Sequence, residues 1–203
     1  MTELKETKFS AYLIIPLMLT NIIITQCKSQ EHYKDVFKPL DGTWKGTFEV
    51  LEDINGQKEG KAQPKNISEE FMNGLDLEKT FELDVKQIYV STSPYYQTVV
   101  IEDTYLENGK EKTVISKGYN EVKNGELICV VNKPDEQVIH QGYTEGDKTI
   151  IWHRSIKEPL KVEFFRETVK ANTYSIIGWG YYGNDDADLT PKTWFRAVYE
   201  RVQ

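Results

Sequence analysis

The chain is poor in the residue types that announce familiar chemistry. It has two cysteines, Cys27 and Cys129, and three histidines in 203 residues, too few thiols for a disulfide framework or a four-ligand zinc site. There is no cationic surplus either: 25 Lys and Arg stand against 32 Asp and Glu, a net charge of −7. Nucleic acid is thereby excluded as the main partner, because neutralising phosphates needs Lys and Arg gathered on one face. Gly-x-Ser-x-Gly, a phosphate-binding glycine loop and His-Glu-x-x-His are all missing, which removes the commonest hydrolase, nucleotide-binding and metalloprotease signatures. What is abundant is aromatic and apolar: 12% and 39% of residues, enough for a packed core in a chain whose length favours one domain.

One long apolar run is present, Phe9 to Thr25, preceded by Lys5 and Lys8. It is shorter than the roughly 20 residues of a spanning helix and is broken by Pro16 and Asn21, so it reads as a secretory signal. The segment carries two lysines and two glutamates, so its removal leaves the charge at −7. Ile24-Thr25-Gln26-Cys27 resembles the relaxed lipobox of Bacteroidota lipoproteins, with Gln26 where a small residue is usual. The resemblance implies cleavage before Cys27, lipidation of its thiol and attachment to a bacterial membrane in the periplasm or at the outer membrane. Residues 1–27 are expected as the signal peptide, 28–39 as a tether and 40–203 as the folded domain.

From Leu40 onward, short runs of period two alternate with turn residues. Phe81-Glu82-Leu83-Asp84-Val85-Lys86 shows the alternation, which buries one face of a strand and wets the other. Asn108-Gly109 and Asn124-Gly125 suit two-residue hairpin turns, where both central positions need positive φ. About ten strands are predicted, near 42–51, 78–90, 95–107, 111–121, 126–132, 136–143, 148–155, 160–168, 172–182 and 193–202. Tight turns make neighbours antiparallel, and so many strands without covering helices must curl onto themselves. The fold class is all-β: a single antiparallel up-and-down β-barrel of about ten strands. Between strands 1 and 2 lies a long polar stretch, 52–76, with a short helix near 67–73; it is either a binding loop or a solvated excursion.

Leu40-Asp41-Gly42-Thr43-Trp44 resembles the Gly-x-Trp opening of calycin barrels, the group of lipocalins, fatty-acid-binding proteins and nitrobindin-like proteins. The resemblance implies a carrier of small apolar or amphipathic molecules, with Trp44 at the closed end under Arg201 from the last strand. Parity agrees, since closure of first strand on last sets Trp44 beside Arg201. The chain lacks the last-strand Arg-x-Tyr pair of fatty-acid-binding proteins and has no histidine after His153, the position class that holds haem in nitrobindins. No cofactor is expected.

Polar residues on faces that read as buried give the candidate binding set: Gln87, Tyr89, Trp152, Arg154 and Arg166. Aromatics with a few such groups suit a small amphipathic or anionic ligand; cross-strand ion pairs to Glu163 or Glu167 are the alternative for the arginines. His140 and His153 fall on neighbouring strands and with Glu163 would compose a metal site, although ordinary polar strand residues is the reading taken. Asn184–Asp188 fails as a calcium loop, with Leu189 and Phe195 where Gly and Glu are required. Cys129 sits mid-strand as a buried thiol. The functional expectation is an exported, lipid-anchored barrel binding a small apolar or amphipathic molecule. Its alternatives are an enzyme on the same barrel using His140, His153 or Arg154, and an envelope protein whose barrel is filled by its own side chains.

Overall fold

The computed structural model describes residues 31–202; the signal segment and Cys27 lie outside them. Ten strands run β1 Gly42–Asp53, β2 Leu77–Ser93, β3 Tyr96–Glu107, β4 Lys110–Lys123, β5 Glu126–Asn132, β6 Gln137–Thr144, β7 Thr149–Ile156, β8 Lys161–Lys170, β9 Thr173–Tyr182 and β10 Thr193–Val202. Each pairs antiparallel with its sequence neighbour, and β1 pairs with β10 to close the barrel. The hairpin chemistry is as the sequence requires: Asn108, Gly109, Asn124 and Gly125 all have positive φ.

Closure sets Trp44 directly opposite Arg201. The guanidinium carbon lies 4.1 Å from the indole centroid, and its nitrogens donate to the Asp41 and Pro39 carbonyls. The indole Nε1–H donates to the Leu40 carbonyl at 2.7 Å. Residues 33–39, read from the sequence as tether, pack across this end instead of trailing from it, and Phe37 is buried there with Leu40 and Trp44. Asp41 fastens the plug to the wall by accepting from the Ser91 amide and hydroxyl and from Gln97.

The stretch between β1 and β2 is not simply a solvated excursion, since Pro64, Ile67 and Met72 are buried in it. It crosses the outside of β7–β10 as a strap. Residues Ile67 and Met72 pack with Ile151, Phe164, Ile177, Trp179, Tyr181 and Trp194 in a second core outside the barrel. Trp179 Nε1–H donates to the Pro64 carbonyl at 2.7 Å, and the Gln63 amide donates to the Tyr181 hydroxyl. Its helix α1, Glu69–Asn73, is capped by Ser68, whose hydroxyl accepts from the Phe71 amide. The helix expected near 67–73 thus starts two residues later, at Glu69. The acidic loop after β9 docks on the strap through reciprocal Gln57–Asp186 hydrogen bonds.

Strands β7 to β9 are therefore apolar on both faces. Inward are Trp152, Phe165 and Ile176; outward, under the strap, are Ile151, Phe164 and Ile177. Gly178 faces inward where the wall turns sharply, and a Cβ there would meet the Phe164 carbonyl at 2.5 Å, so it is a corner glycine.

Candidate functional site

The half of the barrel near Trp44 is solid, filled by Trp44, Tyr89 and Tyr199, whose rings all pack on the ring of Tyr174. Beyond them lies an interior cavity of about 150 Å³. Its apolar wall is Phe48, Val99, Ile101, Val131, Phe165 and Ile176; Gln87, Tyr89, Asn120, Cys129, His140, Trp152 and Glu167 bring polar atoms to it. Drug-sized ligands occupy cavities of roughly 300–1,000 Å³, so this one suits something smaller. An apolar cavity of about 150 Å³ holds a benzene-sized molecule. The one imidazole on the wall, His140, meets Glu163 through Nε2.

Four of the five sequence-predicted binding residues are inward. Gln87, Tyr89 and Trp152 line the cavity, and Gln87 Oε1 accepts from the Tyr89 hydroxyl at 3.0 Å. Arg154 is inward too, in a polar layer above the cavity. There Glu163 is the hub: it accepts two bonds from the Arg154 guanidinium, one from the Tyr182 hydroxyl at 2.6 Å and one from His140 Nε2 at 3.0 Å. Glu136 neighbours Arg154 at 3.9 Å and pairs with Lys161 at 2.6 Å. Burial would raise the Glu163 carboxyl, but the bonds from His140, Arg154 and Tyr182 outweigh it and hold it down at about 2.

Arg166 does not join them. Its strand puts Glu163, Phe165 and Glu167 inward and Arg166 outward, where it pairs with Glu145. Val162 and Phe164, which share the face of Arg166 and being apolar would suggest an inward one, face the strap and not the interior. His140 and His153 likewise fall on opposite faces, because His153 pairs with Gln141; they do not converge on a metal. Cys129 lines the cavity opposite His140, and burial pushes its thiol far up, keeping it protonated.

Two lining groups escaped sequence reading. Asn120 donates from Nδ2 to Gln97 Oε1 at 3.0 Å, while its Oδ1 is buried with no partner among the described residues. Glu167 accepts from Trp152 Nε1 at 3.0 Å. The Tyr174 hydroxyl lies near the same carboxyl but outside hydrogen-bonding geometry. Burial pushes Glu167 up to about 7, against the partial relief from Tyr174 and Trp152. Strand register alone would have found both, since Asn120 pairs with Gln97 and Cys129, and Glu167 with Ile150 and Ile176.

No family model matches the chain, and no curated protein matches it. Solved structures do. The crystal structure of Rv2717c from M. tuberculosis is 15% identical, with 83% of this chain and 98% of that one covered and a TM-score of 0.51. A redesigned β-barrel, b11L5F_LGL, is 12% identical over 84% of this chain and 97% of its own, with a TM-score of 0.38. EF1p2_mFAP2b bound to DFHBI is also 12% identical, over 84% and 99%, at 0.38. At such identities the likeness to Rv2717c concerns the fold alone: this chain is a closed ten-stranded antiparallel β-barrel.

Proposed function

We propose that the chain binds a small, single-ring-sized molecule inside its barrel. The observation that carries this is the interior cavity of about 150 Å³, apolar on most of its wall, with a buried Asn120 Oδ1 that no group among the described residues satisfies. A buried acceptor without a partner costs about 1–3 kcal/mol, and a ligand donor placed there recovers it. The barrel interior is otherwise tightly filled, so long-chain amphipathic molecules are not favoured.

The apolar segment from Phe9 and the Cys27 that follows it support placing this binder in a bacterial envelope, lipid-anchored through Cys27. Blocking lipoprotein signal peptidase is expected to shift its gel mobility; no shift, with Cys27 open to alkylation, overturns the anchor.

For binding, the test is a screen of ring-sized compounds by ligand-observed NMR against the wild type and a cavity-filling Val99→Phe variant. Binding lost on filling supports the reading; equal binding by both proteins overturns it.

The second reading, an enzyme, is favoured by one feature. His140 is held through Nε2 by Glu163, and no hydrogen bond among the described residues occupies its other ring nitrogen, which leaves a positioned base at the cavity wall. A His140→Asn variant that keeps ligand affinity but loses turnover of the bound compound separates this from binding alone.

A further inference from the structure

The charge of the ligand can be read from which charges inside the barrel are already spent. This step rests on the cavity-binding reading above and deepens it. Arg154, the inward cation, is consumed by Glu163 and neighboured by Glu136. Arg166, the other arginine of the binding set, is outside and paired with Glu145. Among the described residues no lysine or arginine lines the interior cavity to receive an anion. The converse holds for Glu167: among the described residues no lysine or arginine pairs with it, and the one hydrogen bond it accepts comes from an uncharged indole.

A carboxyl without a cation in such a place is expensive to ionise, and its surroundings suit a positive charge. Trp152, Tyr89 and Phe165 share the cavity with it, and their ring faces attract cations. The Tyr174 and Tyr199 hydroxyls are buried without partners among the described residues. Glu167 is also reachable from outside: it floors a second, crevice-like cavity of about 390 Å³ between residues 32–40 and the β6–β7 turn. It thus stands between a solvent-facing crevice and the interior.

We propose that the barrel selects a small organic cation, an amine carrying one ring, with its ammonium on the Glu167 carboxylate and its ring in the interior cavity. Above the Glu167 transition near 7 both partners are already charged and no proton moves; below it, binding of the ammonium releases the carboxyl proton to solvent.

The titratable groups facing Glu167 are Tyr89, Cys129, Tyr174 and Tyr199, with His140 across the cavity and His32, Lys34, Asp35, Asp147 and Lys148 along the crevice. Burial holds the tyrosines and the thiol above their ordinary range. Imidazoles titrate near neutrality as a class, so a Glu167→Gln control assigns any pH effect.

The test is calorimetric titration of the wild type with benzylamine, benzyl alcohol and benzoate, at pH values above and below the Glu167 transition near 7. Benzylamine is expected to bind about tenfold or more tightly than benzyl alcohol above that transition, a difference of about 1.4 kcal/mol, with benzoate weakest. The preference shrinks below the transition and vanishes in Glu167→Gln. Equal wild-type affinity for amine and alcohol overturns the cation while leaving cavity binding in place. Failure of all three to bind overturns both. The wild-type ranking needs no variant to fold.

Discussion

Arg201 lies over the ring of Trp44 and at the same time donates to the Asp41 and Pro39 carbonyls, so one guanidinium holds the floor, the plug and the closing strand pair together. Arg201→Ala removes a cation–π contact worth about 0.5–2 kcal/mol along with two charge-assisted hydrogen bonds. A loss of about 2–3 kcal/mol is expected in urea unfolding. Arg201→Lys should recover little of it, because a single ammonium cannot reproduce the planar fork that spans two carbonyls; full recovery would show the charge alone to be sufficient.

The two arginines of the predicted binding set should separate cleanly. Arg154→Ala leaves the buried Glu163 without its cation and is expected to destabilise by about 3–5 kcal/mol. Arg166→Ala deletes a half-exposed pair with Glu145 and should cost no more than about 1 kcal/mol, with ligand binding untouched. Parallel thermal melts of the two variants check this.

Two carboxyls oppose one another in the pH dependence of stability. Glu163 is depressed from 4.5 to about 2, so its contribution is present above 4.5 and drains away as pH falls towards 2. Glu167 is raised from 4.5 to about 7, so folding gains from it below 4.5 and loses that gain as pH rises through 7. Stability is expected to be greatest on the acid side of neutrality. Glu167→Gln should flatten the alkaline limb and Glu163→Gln the acid limb, as read from urea midpoints across pH.

Met72→Ala strips the strap of a fully buried side chain and should cost about 2–5 kcal/mol. The strap is also expected to become the first site of proteolytic cutting, while affinity for cavity ligands stays as in wild type. A change in ligand affinity would mean that strap and cavity are coupled.

Much of the barrel was written into local sequence. Period two, Asn-Gly turns and the Trp44–Arg201 parity are short-range signals, and they located ten strands, their order and the closing register. The same parity placed Gln87 and Tyr89 inside, because β2 is wet on its other face, and Trp152 and Arg154, because exposed His153 and Ser155 alternate with them along β7. It failed on β8. There Val162 and Phe164 are apolar yet outward, since the strap covers them, and a rule that equates apolar with inward selects the wrong face when both are dry. The strap's packing was hidden because it depends on residues over a hundred positions away, as in Pro64 with Trp179. Asn120 and Glu167 were passed over for the complementary reason: a polar residue in an alternating strand looks solvated unless its partners' register is known.

The strap also divides the barrel's circumference into two mechanical regimes. Over β7–β10 the sheet is backed by a second layer, whereas Val90, Thr98, Ile115 and Lys117 on β2–β4 meet solvent directly. A closed hoop of hydrogen bonds can widen only by parting somewhere, and it parts where no backing must be displaced. Amide exchange should therefore be fastest along the β2–β4 arc and slowest in β8 and β9, making the bare arc, rather than either end of the barrel, the flexible seam through which the interior breathes.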